Sequence, residues 1–408
     1  MKLLFLCHRV PYPPNKGEKI RAYHHVAHLA RKHRLHLACL ADTRADLDHA
    51  RSLEGLCASV DVVYRSPLAA RMLALAALPT GRSLSVAAFD SPDLRARVEQ
   101  RIREEAPDVL LAHSAAMAQY VEHLSGLPRA LDFVDADSEK WRDYGRLRPF
   151  PYSTLYSLEA ERLARYEGRM ASEFDASIFV SEAEAEIVRR RAPGRALSVI
   201  PNGVDLVAFQ PDPDVSRRCL PLVVFTGVMG YFPNVDAVTH FARDIFPEVR
   251  RQVPEAEFRI VGRDPSAGVR RLAQLPGVTV TGSVADVRPH LAEAAVAVAP
   301  FRIARGVQNK VLEAMACGLP VVGTNLAFQA LAASDADGVR AAVSPQAFAA
   351  EVVALLRDQP RRRELGQRAR HYVERHHRWE DSGALLESRL LELVESRLSP
   401  AGRQVDAP

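Results

Sequence analysis

No stretch of the 408 residues reaches the roughly 18–20 consecutive apolar side chains of a membrane-crossing helix, so the sequence predicts no spanning segment. Cysteine is scarce and scattered. Cys7, Cys39, Cys57, Cys219 and Cys317 form no CxxC pair, and their odd count and spacing argue for buried, reduced thiols in a reducing compartment. An excess of one charge is also missing: 54 basic residues face 50 acidic ones, and the net +4 fits an anionic substrate but not a dedicated nucleic-acid binder. No GxGxxG follows the first apolar run, which argues against a NAD-dependent enzyme. His24 and His28 have metal-ligand spacing, but no Glu stands at position 25 and no third ligand is near, which argues against a zinc protease. The apolar run Leu3–Cys7 is followed at once by Arg9 and prolines, so it reads as a buried strand and not as a secretory leader. The expected location is cytoplasmic, with room for contact at the inner face of a membrane.

What is present is an ordinary globular composition, 48% apolar and 25% charged, in a chain longer than one hydrophobic core usually supports. Short apolar runs alternate with amphipathic segments. Strands are predicted at Lys2–Cys7, Leu35–Leu40, Val60–Tyr64, Val109–His113, Ala130–Val134, Ala176–Val180 and Leu197–Ile200, with helices over Glu18–Lys32 and Ser153–Ser172. In the second of these helices Leu155, Leu158 and Leu163 should face inward, and Glu159 and Arg162 outward. Ser181 and Glu184 read as a capping box. Phe209–Leu222 has a linker composition, after which the alternation restarts at Leu222–Thr226, Glu257–Val261, Val278–Thr281, Val296–Ala299 and Pro320–Gly323. Ser344–Val394 reads as three successive helices. This pattern predicts an α/β chain with two doubly wound parallel sheets. The expected domains are 1–205, 206–375 and a crossover helix with tail over 376–408 that returns to the first domain.

The segment Gly306–Thr324 (GVQNKVLEAMACGLPVVGT) carries the chemistry. A loop ending in Gly306 opens a helix whose first-turn amides suit an anion, and Lys310 lies where its ammonium could neutralise a phosphate. Glu313 is three residues further on the same face and suits vicinal hydroxyls, as on a ribose. A plain strand–helix–strand unit with a solvated Lys and Glu is the alternative. A second cluster is the loop Arg9–Arg21, at the C-terminal end of the first strand where ligands gather on parallel sheets. Here Gly17 permits close approach of backbone to a ligand, and Lys19 and Arg21 bracket the helix start. His113 closes another strand.

Over almost its whole length the chain resembles glycosyltransferase family 4, of the GT-B fold. PYPPNKGEKIRAYHHVAHLAR, FVDADSEKW, IFVSEAEAEIV, VIPNGVD, VFTGVMGYFPNVDAV, FRIVGRDP, VTVTGSVADVRPHL and KVLEAMACGLPVV carry the resemblance. PYPPNKGEKIR and DADSEKW are most similar to sugar transferases found with bacterial exopolysaccharide and PEP-CTERM/exosortase gene clusters. The resemblance implies two Rossmann-like domains facing across a cleft and retaining transfer from a UDP- or GDP-linked sugar, with no metal required. The implied acceptor is a hydroxyl on a polysaccharide or lipid-linked saccharide. Glu313 would bind the ribose, Gly306, Val307 and Lys310 would face the diphosphate, and His113 matches a position near the donor sugar. Arg9, Lys19, Arg21 and Asp135 would lie on the acceptor side, with Gly17 close to the donor. Two departures stand out. Arg305 occupies the place of the family's usual acid, eight residues before Glu313. Gly227 is followed by Val228, Met229 and Gly230 in place of the frequent Arg and Lys. Arg263, Arg302, Arg305 or Lys310 would then supply the positive charge. A non-catalytic scaffold, or an epimerase or hydrolase on the same fold, is the competing expectation.

Asp135-Ala136-Asp137 looks like a metal-binding DxD, but a turn in which Asp137 or Ser138 caps the next helix explains it more cheaply. Pro67–Pro79 is apolar and flanked by arginines. Packing on the first sheet is preferred for it over a membrane surface. His376 and His377 and the run Arg361–Arg363 are expected to be solvated, and Trp379 to anchor the final helix.

Overall fold

The computed structural model describes residues 1–212 and 221–398; Cys219 and most of the expected linker lie outside them. Two compact units emerge, one from Met1–Pro201 with the segment from Glu380 on, the other from Asn202–Trp379.

Unit 1 is built on β1 (Lys2–Cys7), β2 (Arg34–Ala41), β3 (Ser59–Tyr64), β4 (Val109–His113), β5 (Arg129–Val134), β6 (Ala176–Phe179) and β7 (Leu197–Val199). They form one parallel sheet in the order β3-β2-β1-β4-β5-β6-β7. Unit 2 repeats the plan with β8 (Leu222–Thr226), β9 (Glu257–Val261), β10 (Val278–Gly282), β11 (Val296–Ala299), β12 (Val321–Gly323) and β13 (Val339–Ala341), in the order β10-β9-β8-β11-β12-β13. The near-continuous apolar runs of these strands follow from burial on both faces; β4, for example, is buried at every position. In each sheet the order reverses beside the first strand, at β1/β4 and at β8/β11. That crevice is where open parallel sheets bind ligands.

β13 escapes the sequence reading because it has only three residues, of which Val339 alone is buried. Other differences come from long-range partners. Glu159 is buried, not outward: its carboxylate accepts from Ser83 Oγ at 2.7 Å and from the Leu84 and Ser85 amides, closing the start of the helix Leu84–Ala88. Leu155 and Leu158 are exposed instead. Ser181 does cap the helix Glu182–Arg189, but the Glu184 carboxylate reaches across to the Ala136 amide at 2.8 Å. Neither Asp137 nor Ser138 caps the helix Asp137–Leu147. Ala136 is its N-cap, and the Ser138 amide and hydroxyl go to Glu167. His377 is buried with Nδ1 2.8 Å from the Asn202 carbonyl, and Arg362 turns inward to the carbonyls of Leu355 and Leu356. The helix Pro67–Ala76 buries only Ala70 and leaves Leu68, Met72 and Leu75 on the surface.

The helix Trp379–Leu398 joins the core of unit 1, with Leu386 and Leu390 in the same apolar cluster as Leu3, Phe5 and Leu37. It is also held by charge. Glu387 accepts from Lys32 at 2.8 Å and lies 3.0 Å from His28 Nε2 and 3.1 Å from His33 Nε2. Burial alone would raise its pKa, but the Lys32 and His28 contacts and the nearby His33 prevail and hold it at about 2. A carboxylate depressed on folding contributes stability above its unfolded pKa of about 4.3 and loses it as pH falls toward the folded value. Urea unfolding of Glu387→Gln should therefore show a deficit against wild type at pH 7 that shrinks as both are acidified below pH 4. A deficit independent of pH would reject this assignment.

Candidate functional site

Unit 2 gathers Gly227, Gly262, Gly306, Lys310 and Glu313 at the C-terminal ends of β8, β9 and β11. The loops after β8 and β9 touch: a Cβ on Gly262, at φ 150°, would stand 1.6 Å from the Gly227 carbonyl oxygen. Gly227, at φ 155°, leaves the space in which Lys310 runs; a Cβ there would meet Lys310 Cε and Nζ at 3.3 Å. The Lys310 ammonium donates to Asn234 Oδ1 at 2.6 Å, and Asn234 Nδ2 donates in turn to the Val228 carbonyl at 2.9 Å. Beneath it lie the rings of Phe225 and Phe301, 5.0 and 4.9 Å away, which attract the cation through their faces.

Lys310 and Glu313 belong to the helix Asn309–Ala316, which starts three residues later than Gly306 because Gly306 itself is left-handed at φ 58°. Gly318, at φ 66°, follows its end. Asn309 opens the helix and accepts from Asn202 Nδ2 at 3.2 Å, so the PNG motif is tied to this helix start. Gly203 is required beside it, since a Cβ would stand 2.4 Å from the Trp379 amide nitrogen. Desolvation pushes Lys310 down to about 8, with Glu313 opposing, and pushes Glu313 up to about 7, with Lys310 opposing. An anion beside Lys310 would favour its charged form and raise its pKa again. Among the described residues the Glu313 carboxylate has no hydrogen-bond partner, so its oxygens are open to hydroxyl donors.

The arginines expected to help are placed differently from one another. Arg302 is engaged by Asp236, with Nε 3.0 Å from Oδ2. Arg263 is 3.9 Å from Asp264, and the Arg305 carbonyl accepts from Gln308 at 2.9 Å. Val307 is half-buried. Asn234, Asn202 and the two phenylalanines under Lys310 are the neighbours of this candidate site that spacing did not reveal. Only the i+3 step between Lys310 and Glu313 is local.

Unit 1 places His113 and Asp132 at the ends of β4 and β5. Asp132 is fully buried, and its carboxylate accepts from Arg21 Nε at 2.8 Å and Arg21 Nη2 at 3.0 Å. It also lies 3.1 Å from His113 Nδ1, while Arg21 Nη1 donates to the Ile200 carbonyl. Burial opposes its charge, but Arg21 and His113 hold it well below the usual carboxylate range. The ring of His113 stacks on that of His8, with centroids 5.8 Å apart. Arg21 and Lys19 are thus not loop-tip cations. Both are buried, Lys19 against Asp46 at 2.7 Å, because each has a carboxylate partner from a distant element. Arg9 pairs with Glu18 and Asp42, and Gly17 opens the helix Gly17–Ala30. Burial, with Glu184 and Asp137 nearby, pushes Asp135 well above the carboxylate range.

Residues 16–207 match the family model described as Glycosyltransferase Family 4, and residues 220–358 match Glycosyl transferases group 1. The chain is 29% identical over 253 residues to the GDP-mannose-dependent alpha-(1-6)-phosphatidylinositol monomannoside mannosyltransferase of Mycolicibacterium smegmatis. That match takes in 56% of this chain and 64% of the relative, so less than two thirds of the relative's length is spanned. Sucrose-phosphate synthase from Thermosynechococcus elongatus superposes with a TM-score of 0.72 at 14% identity, covering 97% of this chain and 100% of that one. HepE of Anabaena in complex with UDP and glucose gives 0.67 at 18% identity, with 96% and 100% covered. The chain therefore carries glycosyltransferase domains of these two descriptions on the GT-B fold.

Proposed function

We propose that the chain transfers a sugar, with retention of configuration, from a nucleoside-diphosphate sugar to a hydroxyl of a lipid-linked exopolysaccharide intermediate. The observation that carries the reading is Lys310, held by Asn234 over two aromatic rings beside Gly227, with the unpartnered Glu313 one turn on. The nucleotide's ribose hydroxyls donate to Glu313, and the diphosphate lies against Lys310 and the first-turn amides of Asn309–Ala316. As the bond from the anomeric carbon to phosphate oxygen breaks, negative charge grows on the diphosphate. A preorganised cation and helix amides stabilise that charge more than they stabilise the ground state. The acceptor oxygen bonds to the anomeric carbon on the same face, and its proton passes to the leaving phosphate. His113 serves the donor sugar, its ring fixed by Asp132. UDP in the HepE complex and GDP-mannose in the name of the mannosyltransferase make a UDP- or GDP-linked donor the reading to test.

A calorimetric titration of the protein with UDP, GDP, ADP and TDP, with and without chelator, should show saturable, chelator-insensitive binding of one of them. Binding of none would end the reading. The anomeric configuration of the product, read by NMR, checks retention.

The proposal also places the chain at a membrane face. Leu68, Met72 and Leu75 share the outer stripe of Pro67–Ala76 at 69%, 58% and 59% exposure. Arg71 lies among them, and no helix among the described residues is long and apolar enough to cross a membrane. An apolar stripe with a cation suits the headgroup boundary of an anionic bilayer. The protein should sediment with phosphatidylglycerol vesicles more than with phosphatidylcholine ones, and Leu68→Asp/Met72→Asp should abolish the difference. Equal sedimentation of wild type and variant would remove the membrane from the proposal.

A further inference from the structure

Among the helices of unit 1 lies a cavity of about 480 Å³ that the transfer reading does not use. Sites for small ligands span roughly 300–1,000 Å³, so it is large enough to hold one. Arg142 comes to it from the helix Asp137–Leu147, and Arg191 from the turn after Glu182–Arg189. The rest is one face of the helix Tyr152–Glu173, where Ala164, Gly168 and Ser172 recur every four residues and keep the floor low. Arg165 and Arg169 follow in the same stripe. The lining residues include no aromatic ring and no member of a strand.

Two of these guanidiniums are fixed in place. Arg191 donates to Glu139 at 2.6 Å, to Ser138 Oγ at 2.8 Å and to Glu167 at 2.9 Å, and Glu139 accepts from Arg142 as well. Packing adds to this, since a Cβ on Gly168 would stand 3.2 Å from Arg191 Cβ. The other two are loosely held. Among the described residues the Arg165 guanidinium makes no hydrogen bond and has only Glu161, at 3.6 Å. Arg169 has Glu122 at 3.2 Å and Glu173 at 3.9 Å. Their side chains are 68% and 53% exposed, and ion pairs in such settings contribute little. Of Glu122, Glu139, Glu161, Glu167 and Glu173, the carboxylates that meet these arginines, only Glu161 lines the cavity.

We propose that Arg142, Arg165, Arg169 and Arg191 form a binding site for a phosphate-bearing anion. A guanidinium presents paired, planar N–H donors that fit phosphate oxygens, and its charge persists at every physiological pH. Arg191 and Arg142 are the preset pair, and Arg165 and Arg169 turn onto the ligand from the rim. Binding exchanges their long contacts with Glu161, Glu122 and Glu173 for charge-assisted hydrogen bonds, which are shorter and stronger. With no ring for a base to stack on, the site recognises the phosphate and not a nucleoside. It shares no residue with the candidate donor site and does not depend on the transfer reading.

Inorganic triphosphate is the probe, and the full chain carrying Lys310→Met is titrated with it by calorimetry, so that the candidate donor site does not compete. One saturable site is expected, weakened about tenfold or more in Arg165→Ala/Arg169→Ala. Both arginines are exposed, so the urea midpoint of that variant should match its parent's. Should it fall, Arg142→Ala, which should also weaken binding about tenfold, replaces the double variant. Phosphatidic acid vesicles separate the two sources of such a ligand, using protein with Leu68→Asp/Met72→Asp. Retention that is lost when Arg165 and Arg169 are also replaced assigns the site to a lipid headgroup. Triphosphate binding without such retention assigns it to a soluble anion. Neither triphosphate binding nor arginine-dependent retention would overturn the proposal, as would triphosphate affinity unchanged in both arginine variants.

Discussion

Lys310→Met should slow sugar transfer by about 10²–10³-fold at saturating donor, the usual cost of deleting one preorganised donor to transition-state charge. Methionine keeps an apolar stem over Phe225 and Phe301 and removes the charge 2.6 Å from Asn234 Oδ1. Glu313→Ala should act on the other parameter. It deletes the acceptor for the ribose hydroxyls, contacts made equally in the ground and transition states, so KM for the donor rises while kcat changes little. Hydrogen bonds to a charged group contribute about 1.5–3 kcal/mol, which is roughly 10–100-fold in nucleotide affinity. Acidity adds a third reading. Lys310 at about 8 loses its charge as pH rises through that value, and Glu313 at about 7 gains its charge as pH rises through its own. Nucleotide affinity should therefore climb through about pH 7 and fall above about pH 8, the acid limb disappearing in Glu313→Ala and the alkaline limb in Lys310→Met. Transfer kinetics and nucleotide titrations between pH 6 and 9 decide the matter, and unaltered kcat in Lys310→Met would reject the assignment.

The second large effect concerns unit 1. Asp132→Ala should destabilise the fold by about 3–5 kcal/mol, because it leaves the Arg21 guanidinium charged and enclosed without its counter-ion. Both side chains are essentially sealed, at 1% and 0% exposure. The same change strips His113 of the partner of its Nδ1. Restoring neutrality with Arg21→Met in the same chain should recover much of the loss, since an apolar replacement of a buried pair is often tolerated. Wild-type stability from this pair persists well into acid: its folded pKa lies below the unfolded one, so the contribution is present above about pH 4 and declines only as pH drops further. Denaturant midpoints of the single and double variants measure it, and a single-variant loss under about 1 kcal/mol would contradict an enclosed ion pair of this kind.

These two sites differ in how far the sequence discloses them. The strands that set both crevices are visible as apolar runs because burial on both faces leaves no polar position to confuse the pattern. Lys310, Glu313 and Gly318 are visible because the spacing within a helix is local. Arg21 is the opposite case. Its partner is 111 residues away, and nothing near it distinguishes an enclosed cation from a solvated one. The same holds for Glu159, Arg362 and His377, each turned inward by backbone groups from another element. The helix Pro67–Ala76 fails in the other direction, since its apolar composition suggests packing and the fold offers it almost none.

The return of Trp379–Leu398 to the sheet of unit 1 also sets an order of assembly. β1 is made first, yet Leu386 and Leu390, which share its apolar cluster, leave the ribosome only after all of Asn202–Trp379. Unit 2 is contiguous and can close while the chain is still growing; unit 1 must wait with Leu3 and Phe5 incompletely covered. A nascent chain halted before Leu386 would therefore leave the apolar strand β1 incompletely covered, and it is at this stage of synthesis, more than in the finished protein, that chaperones would find a substrate.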